Sequence, residues 1–181
     1  DLAQQFGVKR VISVGGVLGG VPHTKEPTVS CTISDARLKA EMGTYAVRFS
    51  NYEGPSTFNA MLVAMCRERG LEAIQLTGRA IFYPDFNIVV KRDARAMYAI
   101  LVRLRRLLGI DLDLSDLRKE GQELAERLDL MVSQNPRLSS YIRELERSFE
   151  EIRYEEPLKG TPEDFVRDAE EFLRRQHEKD A

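Results

Sequence analysis

VISVGGVLGGVPHTKEP, residues Val11–Pro27, is the stretch on which the reading of the fold turns. An apolar run, Val11 to Val14, breaks into the glycine pairs Gly15-Gly16 and Gly19-Gly20, and the polar turn Pro22-His23-Thr24 follows. A short buried strand that runs into a glycine-rich loop is where α/β proteins place a ligand or a reaction centre. The flanking sequence agrees. Upstream, Asp1–Val8 reads as the end of a helix closing at Gly7, which feeds a strand from Lys9 to Val14. Downstream, Thr28–Ser34 alternates Val29, Cys31 and Ile33 with polar residues, the pattern of a half-buried strand.

Further along, Ala36–Glu41 fits a single helical turn, and Tyr45–Ser50 a short strand with Tyr45, Val47 and Phe49 on one face. Pro55, flanked by Gly54, predicts a helix start. That helix runs to Arg69 with Phe58, Leu62, Met65 and Cys66 as its apolar stripe, and Gly70 is its left-handed terminator. Leu71–Thr77 is a strand that Gly78 ends. Arg79–Asn87 then reads as a loop carrying Phe82, Tyr83 and Phe86, ahead of a short strand at Ile88–Val90. Asp93 caps a helix that buries Met97, Ile100, Leu101, Leu104 and Leu108 and stops at Gly109. Strand, loop, strand, helix, strand in this order predicts an α/β layer with a largely parallel core.

From Leu114 onward the apolar residues recur at threes and fours: Leu117, Leu124, Leu128 and Met131, then Leu138, Ile142, Leu145 and Phe149. This is the spacing of helices packed along a seam. Asn135-Pro136 interrupts it and predicts a hairpin or a sharp kink, because Pro136 removes a backbone hydrogen bond in mid-helix but suits a fresh first turn. Tyr154–Gly160 reads as a linker, and Thr161 caps a final helix to His177. The chain thus divides into an α/β core, residues 1–112, and a helical extension packed on it, residues 113–181.

With 181 residues, 43% of them hydrophobic and 31% charged, the chain suits a soluble globular protein with a real core. A net charge of −2 and a pI near 5.8 argue against a broad nucleic-acid surface. The apolar runs fall far short of the roughly 20 residues needed to cross a bilayer, and the start shows no secretory pattern, so a cytoplasmic location with no membrane partner is expected. The two cysteines, Cys31 and Cys66, fit no metal spacing and read as reduced, packed thiols. The only histidines are His23 and His177, so neither a metal ion nor another cofactor is expected.

The glycines at 15, 16, 19 and 20 match neither a Walker loop, since no Lys-Ser/Thr follows Gly20, nor the dinucleotide spacing. Two readings stand for Gly15, Gly16, Gly19 and Gly20: a tight turn at a crowded sheet edge, or a small-ligand loop. His23 and Thr24 fit a general base and a hydroxyl ligand if Glu26 or Asp35 orients the ring, and equally a histidine tied to backbone in a polar turn. Gly54-Pro55-Ser56-Thr57 offers N–H groups and two hydroxyls at a helix start, an anion site or ordinary capping. Glu53 beside it weakens an anion but suits a ribose hydroxyl or a cation. Phe82, Tyr83 and Phe86 form either a partner contact or a lid over the sheet edge. No catalytic set is complete.

RVISVGGVLGGVPHT (Arg10–Thr24), followed by NYEGPSTFNAMLVAMCRERGLEAIQL (Asn51–Leu76), resembles the proteasome assembly chaperone 2 family. It is most similar to the prokaryotic branch of unassigned function that is labelled ATP-grasp-related. LLGIDLDLSDL (Leu107–Leu117) and SQNPRLSSYIRELE (Ser133–Glu146) are similar to the same branch. The resemblance implies a three-layer α/β/α sandwich, phosphorylase-like, with a helical C-terminal extension. It also implies an upstream strand-and-helix region with a Gly-Trp motif; this chain has no Trp and begins in mid-helix, as the later part of such a protein would. The end, Glu178-Lys179-Asp180-Ala181, lacks the hydrophobic-Tyr-x tail by which some archaeal relatives dock. By this resemblance the chain is a non-enzymatic assembly or interaction protein, a homo-oligomer (dimer or trimer) whose partner is a protein such as a proteasome-like particle. The alternative is a nucleoside- or phosphate-binding protein or enzyme that uses Gly15–Thr24 with Glu53–Thr57 as its cleft.

Overall fold

A computed structural model describes residues 2–49 and 57–151. In chain order the elements are α1 (Leu2–Gln5), β1 (Arg10–Gly19), β2 (Val29–Ile33), α2 (Leu38–Gly43), β3 (Arg48–Phe49), α3 (Phe58–Glu68), β4 (Glu72–Tyr83), a 3₁₀ turn (Pro84–Phe86), β5 (Ile88–Val89), α4 (Ala94–Leu108), α5 (Ser115–Gln134) and α6 (Pro136–Glu151).

Strand β4 is the spine of the sheet, whose order is β1-β4-β2-β3 with β5 on the far end of β4. β1 runs parallel to β4 from Arg10 opposite Glu72 to Gly19 opposite Ile81. β2 pairs antiparallel on the other side, with Val29 opposite Gly78, and β3 adds to β2 in parallel. The expected largely parallel core is therefore corrected to a mixed sheet: the β2–β4 pair at its centre is antiparallel.

The glycine-rich stretch is strand, not loop. Pairing with β4 carries β1 through Gly15, Gly16 and Gly19, with Gly20 just beyond the strand, so these glycines sit in the sheet and do not form an open loop. A Cβ at Gly15 would sit 3.0 Å from Nδ2 of Asn59, so the missing side chain lets the start of α3 settle on the strand. Gly78 likewise fails to end its strand, and β4 continues to Tyr83. A Cβ there would come 2.8 Å from Cδ1 of Ile100; glycine is the residue that allows α4 onto the sheet.

Side chains alternate across the sheet, which gives it two unlike faces. On one, Val29, Cys31, Ile74 and Leu76 pack with Leu38 and Met42 of α2 and Ala99 and Ile100 of α4. The other face is covered at its two ends. Val63 and Cys66 of α3 pack on Ala73, while Leu124 and Leu128 of α5 and Leu138 and Ile142 of α6 pack on Ile81 and Tyr83. Helices thus lie against both faces.

Several local signals act as expected. Asp93 caps α4, accepting from the N–H groups of Arg95 and Ala96, and Gly109 ends it at φ 62°. Asn135 separates α5 from α6, its Oδ1 accepting from the N–H groups of Arg137 and Leu138 as Pro136 opens the new helix. The start of α3 is later than expected: Thr57 is its cap and Phe58 its first residue. Its predicted stripe is also half wrong, because Phe58 is 80% and Met65 47% exposed while Val63 and Cys66 are buried. Met131 of α5 is exposed as well. Both cysteines are buried and unpaired. The linker at Tyr154, the helix from Thr161 and the site residues Glu53, Gly54 and Ser56 lie outside the described residues. Among the described residues no helix is long and apolar enough to cross a membrane, and no group of His, Cys, Asp and Glu is placed to hold a metal ion.

Candidate functional site

Between the two helical covers, one sheet face is a strip of polar side chains. The register puts Ser13 beside Gln75, Gln75 beside Thr32, Thr77 beside Ser30 and Ser30 beside Arg48. Arg79 continues the row. Alternation makes this face polar wherever the opposite one is apolar, so the strands themselves specify it. Its interior is not fully satisfied by the described residues: Gln75 is 7% exposed, its Nε2 donates to Oγ1 of Thr77 at 3.0 Å, and its Oε1 has no partner among them. The Ser13 hydroxyl is likewise buried without one. At one end of the strip Asn59 Nδ2 donates to the Val14 carbonyl at 3.4 Å, and Thr57 accepts from the Ala60 N–H. Gly15 and Thr57 are thus brought to the same end of the face.

His23 and Thr24 are not there. The segment after β1 turns away and is clasped by α5 and α6. The Tyr83 hydroxyl donates to the Val21 carbonyl at 2.8 Å and accepts from the His23 N–H at 3.1 Å. The imidazole, with 1% of its side-chain surface exposed, has Nδ1 3.3 Å from the same oxygen and Nε2 3.1 Å from Oδ1 of Asp129. Burial raises the Tyr83 pKa, so the phenol keeps the proton it donates. Thr24 donates to Glu146, and a Cβ on Gly20 would meet Leu145 of α6 at 3.2 Å. Arg95 of α4 reaches the Lys25 carbonyl, and burial lowers its pKa. Asp93 adds Oδ2 to the buried N–H of Ile81 at 3.0 Å. The acids that sequence proximity offers to His23, Glu26 and Asp35, are engaged elsewhere, on Arg103 and Arg37. Asp129 and Glu146 lie more than a hundred residues downstream on helix faces, and no local pattern singles them out.

The aromatic trio is divided too. Tyr83 is fully buried and has no surface to offer a partner. Phe86 is half-buried with its ring 5.5 Å from that of Tyr141, and Phe82 is half-buried in the last pairs of β4 with β5.

The PAC2 family matches residues 1–132. The chain belongs to the PAC2 family. Among solved structures it is similar to a PAC2 family protein from Streptomyces avermitilis, at 26% identity and TM-score 0.64, over 77% of this chain and 56% of that one. It is similar at 25% identity and TM-score 0.54 to PbaB of Pyrococcus furiosus, an archaeal proteasome activator, over 72% of this chain and 54% of that one. A Mycobacterium tuberculosis proteasome-assembly chaperone homologue shares the fold at 21% identity and TM-score 0.62, over 78% of this chain and 57% of that one. The chain therefore spans a little over half the length of these proteins. No curated protein gives a significant match. In this PAC2 chain the recognisable stretch Arg10–Thr24 is strand β1 together with the clasped turn.

Proposed function

We propose that this PAC2 chain is a non-enzymatic assembly or interaction protein that binds proteasome components. The family match over residues 1–132 carries the reading, and the likeness to PbaB, an archaeal proteasome activator, supports the class of partner. Family membership favours it over a nucleoside- or phosphate-handling enzyme. The geometry adds that His23 is engaged at both ring nitrogens and enclosed, which suits a clasp between segments and not a group that meets substrate.

The finer reading is a member of the prokaryotic, ATP-grasp-related branch with a phosphorylase-like α/β/α sandwich. Helices against both sheet faces support three layers. Residues 1–112 form the core and 113–181 the extension; the protein is a cytoplasmic dimer or trimer, and Phe82 and Phe86 belong to a partner contact. The test is size-exclusion chromatography with light scattering on the protein alone and mixed with proteasome α-subunits. Co-elution with the α-subunits is expected, and its absence sinks the reading.

A further inference from the structure

The hydrogen bonds around His23 fix a proton count. The Tyr83 hydroxyl has one hydrogen, and its shortest bond, 2.8 Å, takes it to the Val21 carbonyl. The phenol oxygen can then only accept, and two groups of His23 face it: the backbone N–H at 3.1 Å and ring Nδ1 at 3.3 Å. An Nδ1 that bears a hydrogen completes this set; a bare one turns its lone pair on those of the phenol. Across the ring, Nε2 lies 3.1 Å from Oδ1 of Asp129 on α5, and a carboxylate too only accepts. Both ring nitrogens thus face acceptors, and the imidazolium is the form with a hydrogen on each. The ring cannot turn to bulk water instead, because 1% of its side-chain surface is exposed.

We infer that His23 is held as an imidazolium and that the clasp is a pH-sensitive latch between the turn after β1 and helix α5. Every element packed around the clasp brings a titratable or charged group. α5 brings Asp129, β4 Tyr83, α4 Asp93 and Arg95, and α6 Tyr141 and Glu146, the last accepting from Thr24. The turn itself adds Lys25, whose carbonyl takes Arg95, and Glu26, which pairs with Arg103. The charge in contact with the ring is the carboxylate of Asp129. As pH rises, the hydrogen on Nδ1 leaves to water while the one on Nε2 stays with that carboxylate. The uncovered lone pair then competes with the Val21 carbonyl for the single Tyr83 hydrogen, and one of the two is left without a donor. Histidine is the side chain whose charge ordinarily changes near neutral pH. The latch is therefore closed on the acid side and loosened on the alkaline side.

Long-range proton–nitrogen-15 spectra of the full chain test it, with His177→Gln telling the two histidines apart. At about pH 7, where an ordinary histidine is mostly neutral, both His23 nitrogens should resonate as protonated, and at about pH 9 only Nε2 should. Amide exchange over residues 21–25, corrected for the intrinsic effect of pH, should run about fivefold faster at the higher pH, the worth of one hydrogen bond. His23→Gln has no ring proton to lose, so its corrected exchange stays within about twofold across the same range. Asp129→Asn removes the charge that favours the cation, and its His23 gives up the second proton at a lower pH than wild type does. A neutral ring at about pH 7, flat exchange in wild type, the same acceleration in His23→Gln, or a ring titration unmoved in Asp129→Asn overturns the latch. If His23→Gln does not fold, the wild-type ring spectrum and the Asp129→Asn comparison still decide it.

Discussion

The two faces of the sheet are made by the same strands and differ completely in chemistry. One carries Val29, Cys31, Ile74 and Leu76, all but sealed under α2 and α4. The other carries Ser13, Ser30, Thr32, Gln75, Thr77 and Arg79, with buried oxygens at Ser13 and Gln75 that find no partner among the described residues. The first face is what folding requires. The second works against it, since a buried polar atom without a partner costs about 1–3 kcal/mol. Where no water meets them, those oxygens are held between the two helical covers at a cost to the fold.

The sharpest contrast is chemical. Burial pushes the Cys31 thiol on the apolar face up from 9.0 to about 12. At pH 8 its thiolate fraction is then on the order of one in ten thousand, and the side chain is enclosed besides. Iodoacetamide should therefore leave Cys31 unmodified in the native protein and label it once urea unfolds the chain, as peptide mass spectrometry would show. The same shift has a stability sign. A thiol whose native pKa is raised contributes stability below its unfolded value that is lost as pH climbs, so urea midpoints should decline between pH 9.0 and about 12. Rapid native labelling would mean the apolar face is open.

In free energy the contrast is Leu76 against Ser30. Leu76 is completely buried, and Leu76→Ala should cost about 2–5 kcal/mol in urea denaturation. Ser30→Ala, across the strand pair on the opposite face, should move stability by no more than about 0.5 kcal/mol. Similar costs at the two positions would erase the distinction between faces.

Next in size are the groups that hold the far end of the sheet to its helices. Asp93→Ala removes the cap of α4 and also strands the buried N–H of Ile81. Adding a lost cap to an unmet donor gives about 2–4 kcal/mol. Tyr83→Phe keeps the ring against Tyr141 and removes only the hydroxyl shared by Val21 and His23, for about 1–3 kcal/mol. Thermal melts of both variants check the order. If Tyr83→Phe is neutral, water already serves Val21 and His23, and the clasp is weaker than its geometry.

What the sequence made legible was local. The Asp93 cap, the Gly109 stop, the break at Pro136 and the alternation of Val29, Cys31 and Ile33 are each decided within a few residues. Where sequence reasoning went wrong, a distant contact decided. Gly15 and Gly78 look like punctuation, but Asn59 and Ile100 make them close-packing positions inside strands. The antiparallel β2–β4 pair depends on which strand β4 finds, not on either strand's composition. His23 takes Tyr83 from 60 residues away and Asp129 from 106, beyond any spacing rule. The polar strip needed both alternation and register: Ser13, Ser30 and Gln75 are unremarkable singly and become a surface only when paired.

A substitution inside the polar face, expected to stabilise if it does anything, carries the most information. Gln75→Leu gives up one hydrogen bond to Thr77 and with it the unmet Oε1, and it places apolar surface where a residue is already 7% exposed. The lost bond costs about 1 kcal/mol, the removed orphan and the gained burial return as much or more, and the net runs from neutral to about 2 kcal/mol stabilising. Stabilisation together with weaker capture of proteasome α-subunits would mark Gln75 as kept for binding at the expense of the fold. A loss of more than about 1 kcal/mol would instead show that the polar contacts of Gln75, its bond to Thr77 included, support the fold. The polar face would then be a second part of the core, and the difference between the two faces would lie in how each is satisfied and not in what each is for.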